Sequence, residues 1–134
     1  MPGPRELFEQ MRDCWLRGDG LTGDLLAEDA VIENPFAPPG RPARIEGRDT
    51  YIAYAEPRRA DFPVRFDDVR VTALHETADP GTIVVEYVMS GTVTTTGHKS
   101  EAAFIGVLRA RDGKIVLWRE YQNVPAIAAA LAAP

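Results

Sequence analysis

Between residues 64 and 124 the sequence runs through four stretches rich in β-branched and aromatic residues: 64–76, 82–96, 98–111 and 114–124. They are divided by Asp79-Pro80-Gly81, Thr96-Gly97 and Asp112-Gly113, short breaks with the chemistry of tight turns. A chain patterned in this way is committed to four strands in hairpin succession. In the second stretch Ile83, Val85, Tyr87, Met89 and Val93 hold the odd positions, and Glu86, Ser90, Thr92 and Thr94 hold even ones, so one face points to a core. The third stretch is apolar on both sides, with Ala102, Phe104 and Leu108 opposite Ala103, Ile105 and Val107. The fourth sets Val116 and Trp118 against Ile115, Leu117 and Tyr121. A single layer of helices covers one side of such a sheet, so the apolar second side predicts a homodimer formed through the outer sheet face.

The first half supplies the helices. Leu7, Phe8, Met11, Cys14 and Trp15 recur at three- and four-residue intervals from Pro4 to Arg17, where Gly18-Asp19-Gly20 ends an amphipathic helix. Thr22 is placed to cap a second, short helix carrying Leu25, Leu26 and Ala27. Ala30 to Phe36 reads as a short strand halted at Pro35, and the prolines of residues 37–42 enforce a loop. Gly47-Arg48-Asp49 opens a further helix with Tyr51, Ile52, Tyr54 and Ala55 available for burial, which Pro57 is expected to kink or end. A short alanine-rich helix, Pro125 to Leu131, closes the chain. Helices first and an antiparallel sheet afterwards predict an α+β fold, one domain over residues 1–134, whose curled sheet and helices enclose an apolar pocket.

Composition narrows the partners. Fifteen basic residues against twenty acidic ones give a net charge of −5, opposite to what binding a phosphate backbone requires, so nucleic acid is not expected. No apolar run approaches the ~18 residues of a membrane span, and the N-terminus lacks the basic segment and apolar core of a signal peptide. One cysteine and two histidines exclude an internal disulfide, offer little for a metal site and fit a reducing cytoplasm. Gly18-Asp19-Gly20-Leu21-Thr22-Gly23 matches G-x-G-x-x-G, but it follows a helix, carries an acid where phosphate would approach and has no βαβ unit around it. It reads as a connection, and chemistry without a cofactor is the economical expectation.

The order of elements, the segment Leu25-Leu26-Ala27-Glu28-Asp29-Ala30-Val31-Ile32-Glu33-Asn34-Pro35-Phe36, the later Glu46-Gly47-Arg48-Asp49, and Asp112-Gly113-Lys114-Ile115 with Trp118-Arg119-Glu120-Tyr121-Gln122-Asn123-Val124 together resemble the SnoaL-like branch of the nuclear-transport-factor-2-like superfamily. The resemblance implies a cone-shaped α+β barrel, usually dimeric through the outer sheet face. Its members include ketosteroid isomerase, polyketide cyclases, limonene epoxide hydrolase, phenazine-biosynthesis A/B proteins and non-enzymatic binders. The three functional positions that ketosteroid isomerase implies hold Asn34 for the basic aspartate, Met11 near the oxyanion tyrosine and Gly106 for the protonated aspartate. An amide cannot take up the proton, so that isomerisation is not expected. The second half is more similar to the phenazine-biosynthesis A/B proteins, whose acid/base glutamate falls on Glu120 and whose histidine falls on Tyr54. The polyketide cyclases place an acid where this chain has Asn123 or Glu120. The Asp-Arg-Asp set of limonene epoxide hydrolase has no convincing match.

Alternation independently puts Trp118, Glu120 and Gln122 on one face. A carboxylate among Trp118, Phe104 and Tyr87 would be desolvated, which raises its pKa toward the range of a general acid or base. The opposite register would set Glu120 outside against a lysine or arginine. With Glu120 facing the pocket, Arg119 and Tyr121 take the outer face, with Glu86 and Glu101 as cross-strand partners for Arg119. Tyr54 could bond a substrate carbonyl or orient Glu120, or be a core aromatic; Asn34 could be a pocket amide or a turn residue. Met11, Trp15, Phe36, Tyr87, Met89, Phe104, Trp118 and Gln122 are the expected lining of an apolar ligand's pocket. His98 could reach its mouth; His75 reads as a surface residue and Cys14 as a buried, inert thiol. Three functions follow: a cofactor-independent cyclase or isomerase for an apolar, carbonyl-bearing or polyketide-like metabolite, a non-catalytic binding or dimeric interaction protein, and, more weakly, an epoxide hydrolase.

Overall fold

The computed structural model describes residues 1–134. Helix α1 (Pro4–Arg17) starts with proline, whose missing N–H costs nothing in a first turn, and Glu6 reaches back to the Gly3 N–H at 3.1 Å. It ends at Gly18, where φ is 82°, a left-handed conformation that glycine adopts without penalty. The stripe read from the sequence is buried: Leu7, Phe8, Met11, Cys14 and Trp15. At roughly 1.5–3 kcal/mol for a fully buried large apolar side chain, this stripe holds the helix to the sheet.

The second helix expected after Thr22 is only a 3-10 turn, Gly23–Leu25, and strand β1 (Leu26–Glu33) begins at once. Leu26 and Ala30 enter the core as strand residues, and β1 lies parallel to the last strand, which overrides the weak helical preference of so short a segment. A strand not foreseen, β2 (Arg44–Glu46), pairs with β1 after the proline loop. Helix α2 (Arg48–Asp61) runs through Pro57 instead of stopping there. The carbonyl that Pro57 leaves without a partner belongs to Ala53, which is exposed to water.

Strands β3 (Val64–Glu76), β4 (Thr82–Val93), β5 (Lys99–Arg111) and β6 (Lys114–Gln122) form the expected hairpin succession, and helix α3 (Val124–Ala132) follows. The six strands lie in the order β2-β1-β6-β5-β4-β3, antiparallel except for β1 and β6. Irregular pairing in β3, and between β5 and β6, bends the sheet around α1. The interruption after Arg109 has a local consequence. Ala110 pairs with Ile115 and Arg109 with Leu117, so Val116 is the extra residue and Ile115 joins Trp118 in the core, where strict alternation placed it outside.

Phe8, Trp15, Tyr87, Phe104 and Trp118 form an aromatic cluster with ring centroids 5.5 to 6.4 Å apart. Tyr87 lies flat on Phe104, the planes inclined by 9°. The outer face differs from expectation in its ion pairs. Arg119 meets Glu33 on the adjacent β1 at 3.2 Å, because the parallel pairing sets those two residues in register, and Glu86 holds His75. No helix is long and apolar enough to cross a membrane.

Candidate active site

Two adjoining recesses open on the inner side of the sheet, one of about 900 Å³ against α1 and α2 and one of about 190 Å³ against α3. They share Trp15, Arg41, Phe62, Val64, Phe66, Glu120 and Gln122. Apolar rings therefore surround a single shared carboxylate.

Glu120 and Gln122 stand two residues apart on β6, so the pleat sends both to the side that Trp118 occupies. Asn34 comes to them by a different route. β1 runs parallel to β6 with Ile32 opposite Trp118, and continuing that parity by two residues brings Asn34 to the same side. Its backbone N–H bonds Ala43 O at 2.8 Å, clamping the base of the proline loop and with it the origin of the Asn34 side chain.

The four polar residues make a chain. Asn34 Nδ2 donates to Gln122 Oε1 at 3.0 Å, Gln122 Nε2 donates to Glu120 Oε1 at 2.8 Å, and the Tyr87 hydroxyl donates to Glu120 Oε2. Burial pushes the Glu120 carboxyl above its ordinary value, while the bonds from Gln122 and then Tyr87 pull it down. Burial, and then the charge of Glu120, push Tyr51 up to about 12 and Tyr87 well above the usual phenol range. Both phenols stay protonated at neutral pH. A carboxylate that can gain a proton sits among hydroxyls that do not lose theirs.

The other residues expected in the pocket divide between its walls, the core beneath and the surface. Tyr54 lines the larger recess, but its ring lies under the Arg58 guanidinium at 3.8 Å, and the α2 tyrosine that feels the Glu120 charge is Tyr51. One turn of helix separates the two hydroxyls, and the sparse apolar pattern of α2 did not fix which would face inward. Met11 is wholly buried in the core. Phe36 is 62% exposed and packs edge-on against Tyr121 of the outer face at 5.6 Å, because Pro35 turns the chain away from the sheet. Trp15 borders both recesses, Met89 and Phe104 border the smaller, and Trp118 and the Tyr87 ring belong to the core beneath. Asn123 caps α3 by accepting from Ala126 N–H at 3.2 Å, and His98 borders neither recess. Cys14 is buried and receives the Arg17 guanidinium at 3.3 Å.

Gly106 explains the floor. It lies opposite Glu120 across β5 and β6, and a Cβ on it would fall 2.1 Å from Trp118 Cη2. The indole of Trp118 thus fills the space over that strand, leaving no room for a carboxyl at position 106.

Comparison with known proteins was decisive for the family: residues 8–118 match the SnoaL-like domain. The chain belongs to the SnoaL-like family. This SnoaL-like protein is 41% identical over 100 residues to an uncharacterized PhzA/B-like protein of Pseudomonas aeruginosa, across 75% of this chain and 69% of that one. Its fold superposes on a solved Bacillus subtilis protein provisionally named an isomerase with a TM-score of 0.85, at 28% identity over 98% of this chain and 94% of that one. A phenazine biosynthesis-related protein of Pseudomonas aeruginosa superposes with a TM-score of 0.70, at 27% identity over 98% and 86% of the two chains. The match to a PhzA/B-like protein and the superposition on the phenazine biosynthesis-related protein agree with the family resemblance read from the sequence and with its curved α+β architecture.

Proposed function

We propose that the protein is a cofactor-independent acid/base enzyme, of cyclase or isomerase type, acting on an apolar carbonyl-bearing or polyketide-like metabolite of secondary metabolism in the cytoplasm. The supporting observation is Glu120: the one carboxylate that borders both recesses, beside the rings of Trp15, Phe62 and Phe66, both oxygens held by donors and its pKa raised by burial. Ionised, Glu120 takes a proton from the carbon beside the substrate carbonyl, and the electron pair moves onto the carbonyl oxygen. Where a double bond extends the enolate, Glu120 returns the proton at its far carbon; where a second carbonyl lies within reach, the enolate carbon attacks it and the alkoxide so formed takes the proton back from Glu120. Gln122 and Tyr87 aim the carboxylate and limit its basicity, and Tyr54 on the wall offers a hydroxyl to the oxygen where charge develops. The names of the isomerase-like and phenazine-related neighbours fall within the same small-molecule chemistry.

The proton-transfer step can be tested without the natural substrate. In D2O with 2-tetralone as the probe, the wild-type protein is expected to accelerate exchange of the hydrogens next to the carbonyl, followed by NMR. Glu120→Gln is expected to lower that acceleration by about 10²–10⁴-fold, the usual contribution of a positioned acid/base group. Unchanged exchange in this variant would move the assignment to a non-catalytic binding protein.

Two copies joined through the outer sheet face are part of the same proposal. Val84, Val88, Ile105 and Val107 alternate with core residues of β4 and β5, and Ile105 is 42% exposed. With Tyr121 and Phe36 they form an apolar strip on the side away from α1.

A further inference from the structure

The hydrogen-bond chain at Glu120 has a direction, and its far end is unfinished. An ionised carboxylate only accepts hydrogen bonds, so Gln122 must turn its NH2 toward Glu120 and its Oε1 toward Asn34. Asn34 must then present Nδ2 to Gln122, which leaves Oδ1 as the other pole of its amide. That oxygen is buried from water and has no hydrogen-bond partner. It belongs to a residue on the wall of the larger recess, beside the shared carboxylate.

A buried acceptor left unsatisfied costs the full desolvation of that group, so native folds rarely keep one without a use. Rotating the amide cannot relieve it, because that would set Asn34 Oδ1 against Gln122 Oε1, two acceptors facing each other. The Asn34 backbone is also pinned, through its N–H to Ala43. The terminal torsion of an asparagine is soft enough for Oδ1 to tilt toward an incoming group while Nδ2 keeps its bond.

We infer that Asn34 is a specificity-determining acceptor, and that the substrate carries an O–H or N–H donor, such as a hydroxyl or enol, which bonds Asn34 Oδ1 when the reacting carbon lies at Glu120. This deepens the proposed proton transfer and rests on it, since an ionised Glu120 sets the polarity of the chain. The substrate class is thereby narrowed from a carbonyl compound to a hydroxy- or enol-carbonyl compound. Asn34 takes no proton; it chooses which molecules place their carbonyl correctly. A site built around an acceptor discriminates strongly against an analogue without the donor, because the acceptor is then buried unpaired in the complex.

The test uses two aromatic probes of nearly equal size, 2-naphthol, which donates, and 2-methoxynaphthalene, which does not. Calorimetry on the wild-type protein is expected to give tighter binding of the naphthol by about tenfold or more, the worth of one buried hydrogen bond. Asn34→Leu is expected to bring the ratio close to one. Gln122→Leu, which frees the Asn34 amide to present either pole, is expected to lower the ratio with Asn34 still in place, so the result does not hang on one variant folding. Glu120→Gln removes the charge that fixes the polarity of the chain while leaving Asn34 in place, and is expected to lower the ratio less than Asn34→Leu does. Equal affinities in the wild type, or a preference that survives Asn34→Leu and vanishes in Glu120→Gln, would overturn the inference. The tetralone exchange reports separately on proton transfer, so the two readings fail independently.

Discussion

Tyr87 on β4 donates its hydroxyl to Glu120 on β6, reaching across the intervening strand β5. The bond stabilises the ionised carboxylate against the burial that disfavours it. Tyr87→Phe keeps the ring stacked on Phe104 and removes only the hydroxyl. The Glu120 pKa is therefore expected to rise further, and the acidic limb of the pH–rate profile for tetralone exchange to move to higher pH. A limb that stays in place or moves down would show that the hydroxyl does not hold the charged form.

The same carboxyl makes stability depend on pH with a definite sign. Its folded-state pKa lies above its unfolded one, so the folded state binds the proton more tightly. The resulting stabilisation is complete below the ordinary glutamate range and is lost as pH rises through the folded value. Glu120→Gln, which carries no charge at any pH, is expected to raise Tm relative to wild type at neutral pH and to lose that advantage under acid conditions. Thermal melts of both proteins from pH 4 to pH 8 check this, and a gap that widens toward acid would contradict it.

Gly106→Ala drives a methyl group into the Trp118 indole. Overpacking of this kind is expected to cost about 1–3 kcal/mol in urea unfolding. Trp118→Leu in the same chain vacates the ring, so the double variant should lose clearly less than the sum of the two single losses.

Ile105→Glu places a charge in the middle of the apolar outer strip and leaves the cavity alone. Sedimentation velocity is expected to show a dimer for the wild type and a monomer for this variant, with Tm little changed when measured at low concentration. A monomeric wild type would remove the outer-face assembly.

The strands were legible because their turns are chemically explicit and their period is two. That period alone carried Glu120 and Gln122 to the face of Trp118. It failed where the backbone adds a residue: Val116 bulges, and Ile115 changes sides, a shift that no alternation pattern contains. On α2 the signal was weak for another reason. None of its residues is fully buried, so its apolar residues do not draw a sharp stripe and Tyr54 could not be told from Tyr51. Asn34 was legible as a polar residue ahead of a proline, but its approach to Gln122 depends on β1 pairing in parallel with a strand far away in sequence. Long-range register of that kind leaves no local trace.

The bond from Asn34 N–H to Ala43 O closes the proline loop at its root. Everything beyond that knot, residues 35–42, can change length or composition without moving the polar chain that ends at Glu120. Arg41, which borders both recesses, is carried on the free side. The architecture thus separates a clamped part, which orients the reacting group, from a loop whose changes are felt first at the entrance to the cavity.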